Sequence, residues 1–229
     1  MTVRLAFDSS TPRASVALLQ DDQVLAETRL QTVGGRHNDH LLAQAEALLA
    51  CCGYAARDID ELVVVQGPGS FTGLRVGLAT VQGLALSLKR PIRAVDSLRA
   101  LAFQHGPCGR PLCALIDARK QEVYAALYCW RPGQPLSYVA PRVMPPAQLA
   151  YQLPEDVLLL GDAARFYGEA LATAGVRQCF AGLACGGPTA AAAALLVHAQ
   201  PDDFALLTAA CLRALYVRAS DAERARQPR

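Results

Sequence analysis

The strongest hint of chemistry lies in Gly67-Pro68-Gly69-Ser70-Phe71-Thr72-Gly73-Leu74-Arg75-Val76-Gly77. An apolar run, Leu62 to Gln66, leads into it, and a helical pattern leads out. Glycines allow a sharp turn and a close approach by other backbone. The start of the helix presents free backbone N–H groups and the positive end of a dipole, which suits an anion. The segment lacks the Gly-Lys-Ser/Thr ending of a Walker A loop, and its first cation is Arg75. A tight strand-to-helix connection that binds nothing fits the same residues equally well. Gly73 and Gly77 lie on one helical face, where small side chains admit a second helix from the same chain or from another subunit.

Two aspartates stand at equivalent places. Asp8 closes an apolar run and precedes Ser9, Ser10 and Thr11; Asp117 closes another and precedes Ala118-Arg119-Lys120. Carboxylates and hydroxyls so placed could hold a nucleotide phosphate through magnesium. Turn residues of these types also satisfy their own backbone. Only the first turn keeps a hydroxyl-rich run, which argues against a working ATPase cleft.

The remaining candidates are weaker. His37 and His40 could share a helical face, but they read better as exposed polar residues at a helix start, with Asn38 or Asp39 as the cap. His105 and His198 are isolated. Neither H-E-x-x-H nor G-x-S-x-G occurs, so no protease is indicated. The 8 cysteines form no C-x-x-C pair, and most lie in apolar runs as small reduced hydrophobes. No metal site and no cofactor is expected.

The elements that must position these residues recur in order. Val3 to Asp8, Ala14 to Gln20 and Val24 to Leu30 read as strands joined by tight turns. A helix from about His37 to Cys52 follows, stopped by Gly53. Leu62 to Gln66 is a strand buried on both faces. A helix from Thr72 to Leu88, a strand from Pro91 to Val95 and a helix from Ser97 to Phe103 complete the first half. Gln104 to Pro111 reads as a linker. Strands at 112–117, 122–130 and 137–143, a helix at 145–152, a strand at 157–161 and a helix at 163–174 repeat the pattern. The order predicts a duplicated α/β protein with the architecture of the actin and hexokinase ATPase superfold, each lobe carrying a mixed sheet flanked by helices. The division expected is 1–104 for the first lobe and 105–229 for the second. The alanine-rich helix at Thr189 to Ala199 reads as packed, and the basic tail from Arg218 as a solvated terminus.

A chain of 229 residues with 52% hydrophobic and 18% charged residues is too apolar to be disordered. Its net charge of +2 gives no general case for nucleic-acid binding. The opening residues lack a signal-peptide apolar core, and no stretch is expected to span a membrane. The expected compartment is the cytoplasm.

GPGSFTGLRVGLATVQGLAL resembles the signature segment of the TsaB/YeaZ family. LAFDSSTPRASVALL, RHNDHLL and LIDARKQEVYAALY match that family in order. Leu215-Tyr216-Val217-Arg218 resembles its closing Tyr-Leu-Arg motif without the usual preceding proline. The match is loose from about Arg131 to Gln200. The resemblance implies a non-catalytic subunit of bacterial tRNA threonylcarbamoyladenosine (t6A) synthesis. It would support the catalytic paralogue TsaD, with the ATPase TsaE, in moving a threonylcarbamoyl group from its adenylate to a tRNA adenosine.

In the paralogue a metal-binding His-x-x-x-His follows the fifth strand. Val95-Asp96-Ser97-Leu98-Arg99-Ala100 stands there in this chain, without histidine. Two imidazoles one helical turn apart are what grip one ion, so a pseudo-enzyme is expected. The competing reading is an independent ATP-dependent phosphotransferase. Two site groups follow. A vestigial phosphate-loop set would comprise Asp8, Ser9, Ser10, Thr11, Gly67, Gly69, Ser70, Thr72 and Asp117. A partner surface on the two first-lobe helices would use His37, His40, Leu41, Leu48, Gly73, Arg75 and Gly77. The implied partners are a TsaD-like paralogue, a TsaE-like ATPase and tRNA through the complex. Self-association into a homodimer is expected when the paralogue is missing, and no membrane contact.

Overall fold

Side chains alternate across a strand, and the first strand uses that alternation to set what packs on each face of its sheet. In the computed structural model, which describes residues 1–31, 40–131, 134–173, 179–180 and 186–218, Val3–Asp8 (β1) turns Leu5 and Phe7 to one face and Ala6 to the other. Arg13–Gln20 (β2) pairs with it antiparallel, and Gln23–Gln31 (β3) pairs antiparallel with β2. After Leu41–Cys52 (α1), Glu61–Gly67 (β4) returns parallel to β1. Phe71–Leu88 (α2) leads to Ile92–Asp96 (β5), parallel to β4, and then to Ser97–His105 (α3). The sheet order is β3-β2-β1-β4-β5.

The second half repeats this plan. Leu112–Asp117 (β6), Val123–Arg131 (β7) and Gln134–Met144 (β8) form an antiparallel meander. Pro146–Ala150 (α4) leads to Leu158–Leu160 (β9), parallel to β6. Asp162–Thr173 (α5) then leads to Cys179–Phe180 (β10), parallel to β9. The order β8-β7-β6-β9-β10 matches the first sheet strand for strand, with the same directions. The duplication expected from the sequence is present, and the fold is that of the actin and hexokinase-like ATPases. β10 carried no usable sequence signal because it is so short.

Large apolar residues face outward from the first sheet. Leu5, Phe7, Leu18 and Leu62 pack against Leu41, Leu48 and Leu49 of α1 and Leu78 and Val81 of α2. A leucine so buried contributes about 1.5–3 kcal/mol. The other face carries Ala6 and Ala17 beside Leu19, Val63 and Val65. Ala6 and Ala17 meet Ala190–Ala199 (α6), whose alanines let the helix approach the sheet closely. α3 bridges the lobes: Ala100 joins this alanine cluster, while Leu98, Leu101 and Ala102 pack on the second sheet. The layers therefore run helices, sheet, helices, sheet, helices.

Two expectations change here. The division at 104/105 assigned α6 to the second lobe, yet α6 packs on β1, β2 and β4 of the first. The chain beyond it stays there as well. Leu207 pairs with Ile92 on the free edge of β5, Gln82 donates to the Ala209 carbonyl at 3.0 Å, and the Leu215 amide donates to the Gln66 carbonyl at 2.8 Å. Buried Glu61, bonded by Arg4 and Arg93, anchors the start of this strap, since Arg93 also donates to the carbonyls of Pro201 and Phe204. Paired and fully hydrogen-bonded, that charge is tolerated where a lone one would not be.

The second change concerns α2. It is long and apolar enough by composition to cross a membrane, where no such stretch was expected, and a third of it is buried inside the fold. Gly73, Leu74, Gly77, Leu78, Val81 and Ala85 are its buried residues, and α2 packs on β4 and β1. α1 is described from Leu41, with exposed His40 at the N-cap position and no side-chain cap bond. His37 lies outside the described residues.

Candidate functional site

The first hairpin turn and the glycine-rich loop are fastened together. Ser9 Oγ donates to the Gly73 carbonyl at 2.8 Å, and the Ser70 amide donates to the Ser10 carbonyl at 2.7 Å. A Cβ on Gly69 would stand closer than 3.0 Å to the Ser10 carbonyl, and one on Gly73 equally close to the Ser9 carbonyl. A Cβ on Gly77 would meet Ser9 Oγ at a similarly forbidden distance. The glycines therefore seat the start of α2 on the β1–β2 turn. This corrects the expectation that Gly73 and Gly77 make room for a partner subunit. Leu41 and Leu48 are corrected too, since both lie in the lobe's own core. Of the residues expected at the partner surface, His40 and Arg75 are exposed.

The turn spends most of its polar groups on itself. The Ser10 amide donates to Asp8 Oδ1 at 2.9 Å. Thr11 Oγ1 exchanges hydrogen bonds with the Arg13 backbone, and Ser70 Oγ caps α2 by accepting from the Gly73 amide. Asp8 Oδ2 and Ser10 Oγ complete no hydrogen bond of good geometry among the described residues. Burial pushes the Asp8 carboxyl up to about 7, with the neighbouring Ser10 hydroxyl and amide holding it back.

The second hairpin faces the first across a cleft of about 620 Å³. Asp117 Oδ1 accepts from the Arg119 amide at 2.9 Å and from Tyr167 Oη at 3.4 Å, and the Arg119 guanidinium lies 3.5 Å from Oδ2. The Asp117 amide donates to Asp162 Oδ1 at 3.1 Å. Burial pushes Asp162 up to about 6. Arg119, Lys120 and Gln121 all have positive φ, at 61°, 54° and 59°. For non-glycine residues that conformation costs about 1–2 kcal/mol each.

Of the expected phosphate-loop set, Ser10, Thr11, Gly69, Ser70, Thr72 and Asp117 line this cleft. Asp8 and Ser9 are buried behind the turn and Gly67 packs against the Leu215 carbonyl; none of the three lines the cleft. The sequence reading missed Asp162, Phe166 and Arg218, which do. It also missed a stack at the mouth. The Phe71 ring lies 5.3 Å from that of Tyr216, and the Arg75 guanidinium sits 3.9 Å over Phe71 while donating to Tyr216 Oη at 3.4 Å. The closing Tyr216 motif was the one signal that could have pointed there.

At the place of the paralogue's histidine pair, Asp96 caps α3. Its Oδ1 accepts from the amides of Leu98 and Arg99 at 2.7 and 3.0 Å, and burial pushes its carboxyl up to about 6. Ser97 is the first helical residue and donates to the Pro68 carbonyl.

Asp8, Asp96 and Asp162 thus hold protons in the folded state that the unfolded chain releases near pH 4. Their stabilisation is complete below that pH and is lost as pH rises towards 6–7. The melting temperature is expected to fall between pH 4 and 7. In Asp8→Asn that fall should be shallower, measured by thermal melts across the range. An unchanged slope would contradict the raised Asp8.

Two lobes of one topology, closed on a cleft between matching hairpin turns, define a protein of the actin and hexokinase-like ATPase superfold. The family model described as TsaD: tRNA N6-adenosine threonylcarbamoyltransferase matches residues 31–156. A Pseudomonas aeruginosa structure described as similar to the peptidase YeaZ superposes with a TM-score of 0.82 at 30% identity, covering 95% of this chain and all of that one. The chain belongs to the TsaB/YeaZ branch of this family. The tRNA threonylcarbamoyladenosine biosynthesis protein TsaB of Bacillus subtilis is 37% identical over 133 residues, 58% of this chain and 57% of that protein. Its Escherichia coli counterpart is 39% identical over 127 residues, 54% of each. The chain thus spans about half the length of the curated relatives it matches.

Proposed function

We propose that this chain is a non-catalytic subunit of cytoplasmic t6A synthesis that supports a TsaD-like catalytic paralogue, with a TsaE-like ATPase, in threonylcarbamoyl transfer to tRNA. The observation that carries this reading is the outward surface of α1 and α2. Leu42, Ala43, Ala47, Ala50 and Cys51 of α1 face solvent, interrupted by Glu46. Thr72, Arg75, Ala79, Gly83 and Leu86 form a solvent-facing stripe on α2, with Leu86 70% exposed. Small and apolar residues at helical spacing on two adjacent helices suit another helix pair. Family membership supports a paralogue of the same fold as that partner. Without it, the same face favours a homodimer.

The non-catalytic half of the proposal rests on two observations. A capping aspartate and Arg99 occupy the place of the paralogue's metal pair. Asp8 is buried behind Ser10, away from the cleft. The purified chain is therefore expected to release no phosphate from ATP above background, and the double variant Asp8→Ala, Asp117→Ala should match it. Turnover abolished by that variant would replace the subunit reading with an independent phosphotransferase.

A further inference from the structure

We propose that the end of the C-terminal strap is a clasp that holds the two lobes at one separation and keeps the cleft from hinging open. The chain leaves the first lobe after α3 and returns to it at α6. Four consecutive residues, Leu215 to Arg218, then cross the lobe boundary once more. Leu215 is tied to the first sheet: its amide donates to the Gln66 carbonyl at 2.8 Å, and its own carbonyl fills the space where a side chain on Gly67 would stand. Tyr216 stacks on Phe71 at the start of α2 and accepts from Arg75. Val217 packs into the cluster that holds Leu112, Ala114 and Ile116 of the second sheet. Arg218 donates to the Ala118 carbonyl at 3.0 Å and pairs with Glu122 at 3.0 Å, both in the β6–β7 turn.

The grip on the second lobe falls on a stiff point. Ala118 and Glu122 flank the left-handed run Arg119 to Gln121, and the Ala118 amide donates to the Glu122 carbonyl across it at 3.0 Å. Backbone so strained persists where its surroundings fix it, and one guanidinium here holds both ends of the run. The Arg218 side chain is only 11% exposed, so its pairing is screened less than a surface ion pair. A guanidinium bonded to a carbonyl and a carboxylate together also fixes direction, which a point charge would not. Two-lobed α/β proteins close and open by hinging at a few connecting residues. In this chain such a motion must release Val217 and Arg218 from the second lobe at once, because the Gln66 and Tyr216 contacts pin the residues just before them to the first.

Pulsed electron resonance between genetically encoded spin labels at Thr72 on α2 and Arg165 on α5, both exposed, reads the separation of the lobes. The labelled full chain is diluted into unlabelled protein, so that distances within one chain are measured. One narrow distance distribution is expected with the natural strap. Val217→Ser combined with Arg218→Gln frees the second-lobe end and should shift the distribution to longer distance and broaden it. Arg218→Gln alone should move it in the same direction by less, and it decides the matter if the double variant fails to fold. The control Arg213→Gln removes a guanidinium that serves the Ala210 and Leu212 carbonyls within the strap, and should keep the natural distribution. Circular dichroism checks that each variant is folded. An unchanged distance in the Arg218 variants, even with a lowered melting temperature, would overturn the clasp and leave the strap a packing element of the first lobe. Equal broadening in the control, or a distribution already broad with the natural strap, would overturn it as well.

Discussion

Gly73→Ala is expected to destabilise the protein by about 3 kcal/mol or more, lowering its melting temperature by about 6–12 °C. The added methyl would meet the Ser9 carbonyl, which is backbone and cannot rotate away. Ser9 is itself held by its hydroxyl on the Gly73 carbonyl, so the β1–β2 turn and α2 must separate together. Gly77→Leu strikes Ser9 Oγ and should behave similarly. Gly83→Ala, on the same helix, tests the argument from the other side. No atom lies within 4 Å of its added methyl, so it should gain about 0.5–1 kcal/mol from helix propensity alone. Differential scanning calorimetry of the variants is the measurement. Gly73→Ala melting at the wild-type temperature would show that the seat of α2 is not tight.

The largest effect on assembly is expected at Ala79. It lies midway along the exposed stripe of α2, between Arg75 and Gly83, and contributes nothing to the buried core. Ala79→Arg places a long charged side chain where a partner helix would pack. Loss of pairing with the TsaD-like paralogue by about thirtyfold or more is expected, the size of a hot-spot defect. The melting temperature and circular dichroism should stay at wild type. Sedimentation of the two purified chains together reads the pairing. Wild-type affinity in this variant would move the interface elsewhere.

How much of this was legible in the sequence depends on the kind of signal. The meander of β1 to β3 and the strand before the glycine-rich loop were readable because alternation and continuous apolar runs are local. The duplication was readable as an order of elements, since Asp8 and Asp117 mark equivalent strand ends. Gly73 and Gly77 were readable as close-approach residues, but a missing side chain does not say what approaches. The Ser9 carbonyl and hydroxyl are distant in sequence and gave no sign. Leu41 and Leu48 illustrate the same gap. A helix rich in leucine and alanine shows that it packs, while the sheet decides which residues face inward. The alanines of α6 fit any close surface, so its return to the first lobe was hidden. The strap carrying Tyr216 and Arg218 has no periodicity, and its place is set by backbone pairing with Ile92 and Gln66.

On the proposed reading, this chain assists a catalytic paralogue and does no chemistry of its own. It is tested by reconstituted threonylcarbamoylation of tRNA from added threonylcarbamoyl adenylate and ATP, following the modified nucleoside with TsaD-like and TsaE-like proteins of the same cell. No product is expected from this chain alone, full product when it joins the other two, and loss of that product with Ala79→Arg at equal protein concentrations. Product formed at the same rate without this chain, or by this chain alone, would contradict it.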